Sequence, residues 1–290
     1  MPSKGKVRLA ELLVSRRLCT DSAEAERLIH AGLVLGNEEK LTHPGMQVNS
    51  NLTIRIKSRN CYVSRGGDKL AGALSDFSVD VLGRRCLDVG ASTGGFTDCL
   101  LQHGASEVTA LDVAYGQFAW SLRTDARVRL FERTNIRDAD PVAIGAPFDV
   151  IVTDLSFASL RSVISSLVPL CADKTQLIVL VKPQFEAPDS LVSGGVVSDS
   201  SVHIMVLNQV IEALTTHGLT PQAASFSCIR GAKGNIEFFL LAQYGGIPVT
   251  IDTIDVVTRA HEGLGCGRSA QRICRPDVAT WAHEGLEKGK

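Results

Sequence analysis

Arg85-Cys-Leu-Asp-Val-Gly90-Ala-Ser-Thr-Gly-Gly95-Phe-Thr-Asp-Cys-Leu-Leu101 is the stretch on which the fold turns. Its first five residues make a short apolar strand, its glycine-rich middle a turn, and Phe96 onward the start of a helix. Glycine lacks a Cβ and tolerates positive φ, so such a turn lets backbone come close to a ligand. Val108-Thr-Ala-Leu-Asp112, roughly twenty residues on, is a second strand, ending in a carboxylate that can accept from both hydroxyls of a ribose. Val128-Arg-Leu-Phe131, Phe148-Asp-Val-Ile-Val-Thr-Asp154 and Gln176-Leu-Ile-Val-Leu-Val-Lys182 continue the alternation, which predicts an α/β domain built on a doubly wound sheet. Ligands of open α/β sheets bind beyond the carboxyl ends of the strands, so Asp154 and Lys182, each closing a strand, are expected in one cleft.

The glycine loop excludes two common ligands. A dinucleotide fingerprint needs glycine where Ser92 stands, and a P-loop needs a Lys-Ser/Thr pair after the glycines. Asp88-Val-Gly90 instead resembles the first motif of class I, Rossmann-like S-adenosylmethionine methyltransferases. That resemblance implies S-adenosylmethionine held by Gly90, Ala91, Ser92, Thr93, Gly94 and Gly95. Asp112 and Val113 would lie at its ribose, Asn135 and Ile136 by the adenine, and Asp154 also against the cofactor.

At 290 residues the chain exceeds the roughly 100–200 of a single domain, so a large and a small domain are expected. The divisions predicted are 1–57 for a small domain, 58–62 for a linker, 63–245 for the catalytic domain and 246–290 for an extension of unknown role. A hydrophobic share of 44% against 21% charged residues, with no low-complexity tract, marks an ordered globular chain. The charge divides unevenly: residues 1–62 hold ten Lys/Arg against six Asp/Glu, a balance of +4, leaving −5 for the remainder. A basic module beside a mildly acidic one fits a polyanion held by the first and chemistry done by the second. No apolar leader or spanning stretch is present, and the eight cysteines include no C-x-x-C pair. The expectation is therefore a cytoplasmic protein with reduced thiols, no metal and no membrane partner; nothing specifies an oligomeric state. His261 and His283 lack partners at metal-ligand spacing and read as surface residues, and residues 246–290 as a tail or packing helix.

In the basic module, Leu9, Leu12 and Leu13 recur at helical spacing, and Asp21 with Glu24 resembles a capping box opening a second helix that Gly32 stops. Leu33–Leu35, Gln47-Val48 and Leu52–Ile56 then read as short strands around a Gly36-Asn37 turn. Two short helices followed by small strands, about residues 7–57, resemble the α+β S4-type RNA-binding domain. The resemblance implies recognition of folded RNA through phosphate and shape, by Arg8, Arg16, Arg17, Arg27 and Lys40, with Arg65 just beyond.

Five motifs in order carry a wider resemblance: Arg65-Gly-Gly-Asp-Lys69-Leu, Asp88 to Phe96, Asp154-Leu-Ser-Phe157, Val181-Lys-Pro-Gln-Phe-Glu186 and Lys233-Gly-Asn-Ile-Glu237. From about residue 6 to 245 the chain resembles the TlyA family of ribosomal RNA 2′-O-methyltransferases, related to the FtsJ type with its Lys-Asp-Lys-Glu tetrad. Thr93-Gly-Gly-Phe96, where the FtsJ type has Pro-Gly-Gly-Trp, favours TlyA. The implied tetrad is Lys69, Asp154, Lys182 and Glu237, the implied target a cytidine 2′-hydroxyl in ribosomal RNA of the ribosomal subunits. A ribose hydroxyl is a poor nucleophile and needs a base as the C–O bond forms. A free lysine, with a pKa of about 10.4, is almost wholly protonated at neutrality, so the site must favour the neutral amine. In the implied scheme Lys182 is that base, Lys69 is the second cation that also positions the hydroxyl, and Asp154 and Glu237 orient the lysines. Asn60-Cys-Tyr-Val63 departs from the Arg-x-Trp-Val of many relatives, which puts coupling between RNA docking and cofactor binding in question. Two other functions compete. The hemolysin name attached to the family raises a membrane-active role, but no spanning segment or basic amphipathic helix supports it. An inactive RNA-binding assembly factor is opposed by the intact tetrad.

Overall fold

The computed structural model describes residues 5–56 and 61–263, which belong to two compact units, 1–60 and 61–290. The first unit runs β1 (Lys6–Arg8), α1 (Leu9–Ser15), α2 (Ser22–His30), β2 (Val34–Gly36), β3 (Glu39–Lys40), β4 (Gln47–Asn49) and β5 (Ile54–Ile56). Asp21 caps α2 by accepting from Glu24 N, while Glu24 accepts from Thr20 N, satisfying donors the helix start would leave bare. Gly32, at φ +66, turns the chain out of α2. Asn37 and Glu38 both take positive φ, the backbone twist that a two-residue hairpin between β2 and β3 needs. Strands β1 and β4 pair, as do β3, β2 and β5, and Leu9, Leu12, Leu13, Ala25, Ile29, Val34 and Val48 close a small core between helices and strands. The sequence pattern misses β1 and β3, of three and two residues, in which Val7 is the one apolar residue.

The second unit runs α3 (Arg65–Asp76), β6 (Arg85–Val89), α4 (Gly95–Gln102), β7 (Glu107–Leu111), α5 (Trp120–Arg123), β8 (Val128–Phe131), α6 (Pro141–Ile144), β9 (Phe148–Thr153), α7 (Ile164–Leu167) and β10 (Cys171–Val181). It continues with α8 (Pro183–Glu186), α9 (Ser200–Thr216), β11 (Leu219–Phe226), β12 (Phe238–Tyr244) and α10 (Thr253–Glu262). Its seven strands lie in the order β11-β12-β10-β9-β6-β7-β8. Strands β8, β7, β6, β9 and β10 are parallel, and β12 and β11 antiparallel at one edge. From β6 the chain winds outward to β7 and β8, then returns to β9 on the other side, so the switch point falls between β6 and β9, where a ligand crevice opens.

Side chains alternate between the faces of a strand. Val150, Val152, Ile178, Leu180, Phe239 and Leu241 point to one face and pack with Leu70 and Leu74 of α3 and Leu100 of α4. Ile151, Leu177, Val179, Phe238 and Leu240 point to the other, under Val206, Leu207 and Val210 of α9 and Val257 of α10. Each such fully buried side chain stabilises by about 1.5–3 kcal/mol. Counting onward by twos along β9 and β10, and back along β12, puts Asp154, Lys182 and Glu237 on the α3 face.

Four sequence readings are amended here. Tyr62, assigned to the linker, is 5% exposed and packs in the core of the second unit. Cys19, Cys86, Cys99 and Cys171 are free thiols as expected, but Cys61 is disulfide-bonded. Strand β10 starts five residues before Gln176, with an irregular register between Cys171 and Gln176. The extension holds α10, on which His261 is exposed yet bonded to the buried His203 of α9, Nδ1 to Nε2 at 2.9 Å. Gly265, Gly267, Arg268, Arg272 and His283 lie outside the described residues.

Candidate active site

At the switch point β6 runs straight into the glycine loop. Asp154 N donates to Val89 O at 3.0 Å, and a Cβ on Gly90, whose φ is +86, would meet Asp154 O at 2.5 Å. Only glycine permits both that backbone angle and that approach. Ser92, in the slot of the missing second glycine, also takes positive φ, and its N–H donates to Asp112 Oδ2 at 2.7 Å. Asp112 Oδ1 accepts from Ala114 N, also at 2.7 Å. Each carboxylate oxygen keeps a free lone pair for a ligand hydroxyl.

Two cavities flank this loop. One, of 380 Å³, is lined by Val89, Leu111, Asp112, Val113, Asn135, Ile136 and the stretch Asp154 to Ala158. The other, of 290 Å³, is lined by Arg65, Lys69, Ala91, Thr93, Gly95, Phe96, Gly231 and Ala232. They share Gly90, Ser92 and Asp154, so a ligand spanning both would have its middle at the switch point. Of the loop residues expected to touch a cofactor, Gly94 lines neither; at φ +93 it caps α4. An apolar slot ending in a carboxylate, joined to a polar pocket over a glycine cradle, fits an adenosine carrying a charged side arm.

The four residues of the expected tetrad lie in two ion pairs. Lys69, on the buried side of α3, donates to Glu237 Oε2 at 2.6 Å. Lys182 Nζ lies 2.5 Å from Asp154 Oδ1, at an angle too oblique for a hydrogen bond, and donates instead to Ser156 Oγ at 2.9 Å. Val181 pairs with Phe238, so one step further Lys182 faces Glu237 across the strands, and the two pairs are neighbours. Gly231 closes over this end: a Cβ there would sit 2.0 Å from Glu237 Oε1. Lys182 and Glu237 line neither cavity and reach them through Asp154 and Lys69. The expected second cation is therefore present but neutralised, since each ammonium is matched to its own carboxylate.

Beneath the loop, Asp88 is wholly buried; its Oδ2 accepts from Thr97 Oγ1 at 2.7 Å and its Oδ1 has no partner. Burial pushes its carboxyl up to about 7, against the Thr97 hydrogen bond and helped by the charge of Asp154. Among the cations expected to meet RNA, Arg8, Arg17, Arg27 and Lys40 are exposed in the first unit. Arg16 is spent differently: its guanidinium donates to Leu52 O and Ser50 O and ties α1 to the turn before β5. Arg65 donates to Arg230 O and lines the smaller cavity. Sequence reasoning missed Ser156, although it lies inside a quoted motif, because a serine after a strand carries no signal until its partner is known. Among the described residues no cluster could hold a metal ion, and no helix is long and apolar enough to cross a membrane.

Residues 62–244 match the FtsJ-like methyltransferase model. The chain is 43% identical over 238 residues to the 16S/23S rRNA (cytidine-2′-O)-methyltransferase TlyA of Mycobacterium tuberculosis, covering 81% of this chain and 89% of that protein. It is 37% identical to Hemolysin A of Brachyspira hyodysenteriae, over 80% of this chain and 98% of the relative. A solved structure from Streptococcus thermophilus, which bears a provisional hemolysin name, superposes with a TM-score of 0.69 at 36% identity, covering 90% of this chain and 97% of that one.

Proposed function

Since this chain belongs to the FtsJ-like methyltransferase family, we propose that it transfers a methyl group from S-adenosylmethionine to the 2′-hydroxyl of a cytidine in ribosomal RNA. The observation that carries this reading is the meeting of Lys69–Glu237 with Lys182–Asp154 beside the glycine loop. When bound, S-adenosylmethionine supplies an electrophilic methyl group on a positively charged sulfur. Asp112 would accept from its ribose, Ile136 and Leu111 would flank the adenine, and the Gly90–Gly95 backbone with the smaller cavity would take the methionine arm.

Lys182 would receive the 2′-proton on Nζ as the ribose oxygen takes up the methyl group. Asp154 holds charge beside Lys182, and Glu237 holds Lys69 where it can donate to the ribose oxygen. The first unit would serve as an S4-like module, in which Arg8, Arg17, Arg27 and Lys40 meet phosphates that carry no sequence information, so register is set there and chemistry elsewhere. The same reading makes the protein a cytoplasmic one, where ribosomal subunits are found. Purified small and large subunits, and assembled ribosomes, incubated with labelled S-adenosylmethionine should take up label on one ribose per modified site. Absence of label from all three, with cofactor binding intact, removes the proposal in favour of an RNA-binding factor.

A further inference from the structure

Asp154 and Ser156 do different things to Lys182. Asp154 Oδ1 is close, at 2.5 Å, but side-on, so it supplies charge without direction. Ser156 Oγ, at 2.9 Å, accepts a true hydrogen bond and fixes the rotation of the amine. A neutral lysine has two N–H groups and one lone pair. With one N–H committed to Ser156, rotation about Cε–Nζ is fixed and the lone pair is confined to the two remaining directions.

The loop that carries Ser156 is itself held. Glu186, the last residue of α8, is 5% exposed. Its Oε2 accepts from Ser159 Oγ at 2.6 Å and from Arg161 Nε at 3.2 Å, and its Oε1 from Leu160 N at 2.5 Å. Arg161 also donates to the Glu186 carbonyl at 2.9 Å. Phe157, between Ser156 and this clasp, sits at φ +64 and leans on Phe185 with ring centroids 5.5 Å apart. A left-handed backbone at an aromatic residue persists only where its surroundings over-determine it; the Phe157 ring is 92% exposed, so the Glu186 clasp on the following residues supplies that constraint. Lys182 and Glu186 bracket the single turn of α8, so one short helix anchors both the base and the loop that aims it.

We infer that Ser156 is a positioning residue for Lys182, and that Glu186 presents it by clamping residues 159–161. The inference rests on the reading of Lys182 as the base. It is tested on the full-length protein with ribosomal subunits, measuring kcat, KM for RNA and the dissociation constant of S-adenosylmethionine. Ser156→Ala should lower kcat by about 10–100-fold with KM and cofactor affinity within about twofold, and Ser156→Thr, which keeps the hydroxyl, should restore most of it. Glu186→Gln, which keeps the shape but weakens the clasp, should lower kcat in the same way. The double variant should lose no more than the larger single loss, because both act through one hydrogen bond. A full kcat in Ser156→Ala, a loss confined to KM, or strictly multiplicative losses in the double variant would each overturn the inference while wild-type activity leaves the proposed function standing. A wild-type protein that methylates no subunit defeats the proposed function first, and this inference with it.

Discussion

On the α3 and β12 side of the cleft, Lys69 donates squarely to a carboxylate that is 2% exposed, under a glycine that leaves no room for a Cβ. On the β9 and β10 side, Lys182 meets Asp154 obliquely, the carboxylate is 22% exposed, and the directional bond goes to a serine. The same pair of residue types is thus built once as a sealed ion pair and once as an open one. A sealed pair gives up stability when one partner is removed, because the other charge stays buried and unmatched. An open pair can exchange partners with solvent or substrate, which a proton acceptor has to do. In the proposed mechanism this difference suits Glu237 to holding Lys69 in place and the Asp154–Lys182 pair to exchanging a proton.

The strongest break in that contrast is Lys182→Ala. It should lower kcat by about 10³–10⁴-fold and leave S-adenosylmethionine binding, measured by calorimetry, intact. Near-normal turnover would strip the β10 side of its role. Next, Lys69→Ala, which leaves Glu237 buried and unmatched, should cost about 3–5 kcal/mol in urea unfolding, while Lys182→Ala, which leaves the more exposed Asp154, should cost about 1 kcal/mol and act mainly on turnover. Equal stability losses would mean the two pairs are not differently built. The smallest effect concerns acid. His203, fully buried against Phe238, which follows Glu237, is held down at about 4 by burial and by His261. Its folded value lies below the ordinary one, so the stability it allows is complete above about 6.5 and is lost as pH falls toward 4. From pH 7 to pH 5 the wild type should lose about 2 kcal/mol from this residue, and His203→Gln should lose correspondingly less. An unchanged pH slope in the variant would show that acid does not act on the β12 side through His203.

Strands β6 and β8 were legible to the residue, because five- and four-residue runs with three apolar residues each, set between turn signals, leave few alternatives. Lys69, Asp154, Lys182 and Glu237 were identified as candidates from ordered motifs, yet how they pair was not. Lys69 and Glu237 are 168 residues apart, and no local pattern states that they share a hydrogen bond. Glu186 was quoted within a motif without a role for the same reason: its partners, Ser159 to Arg161, belong to a different loop. The segment from Ala187 to Phe226, with α9 and β11, went largely unread. Helix α9 is apolar around much of its surface, and β11 shows no clean alternation. Arg16 was read by its charge, when the structure uses two of its guanidinium donors to hold two carbonyls.

By itself the sequence determined the alternation of strands and helices, the glycine loop, and the carboxylates and lysines that end the strands. These are local matters, settled by periodicity and by the backbone freedom of glycine. Tertiary structure alone decided which lysine met which carboxylate, and which loop brought a serine hydroxyl to Lys182. Those outcomes depend on strand register and on side chains brought together from distant positions, and the free energy of a charge pair is set by the burial and angle that only the folded chain defines.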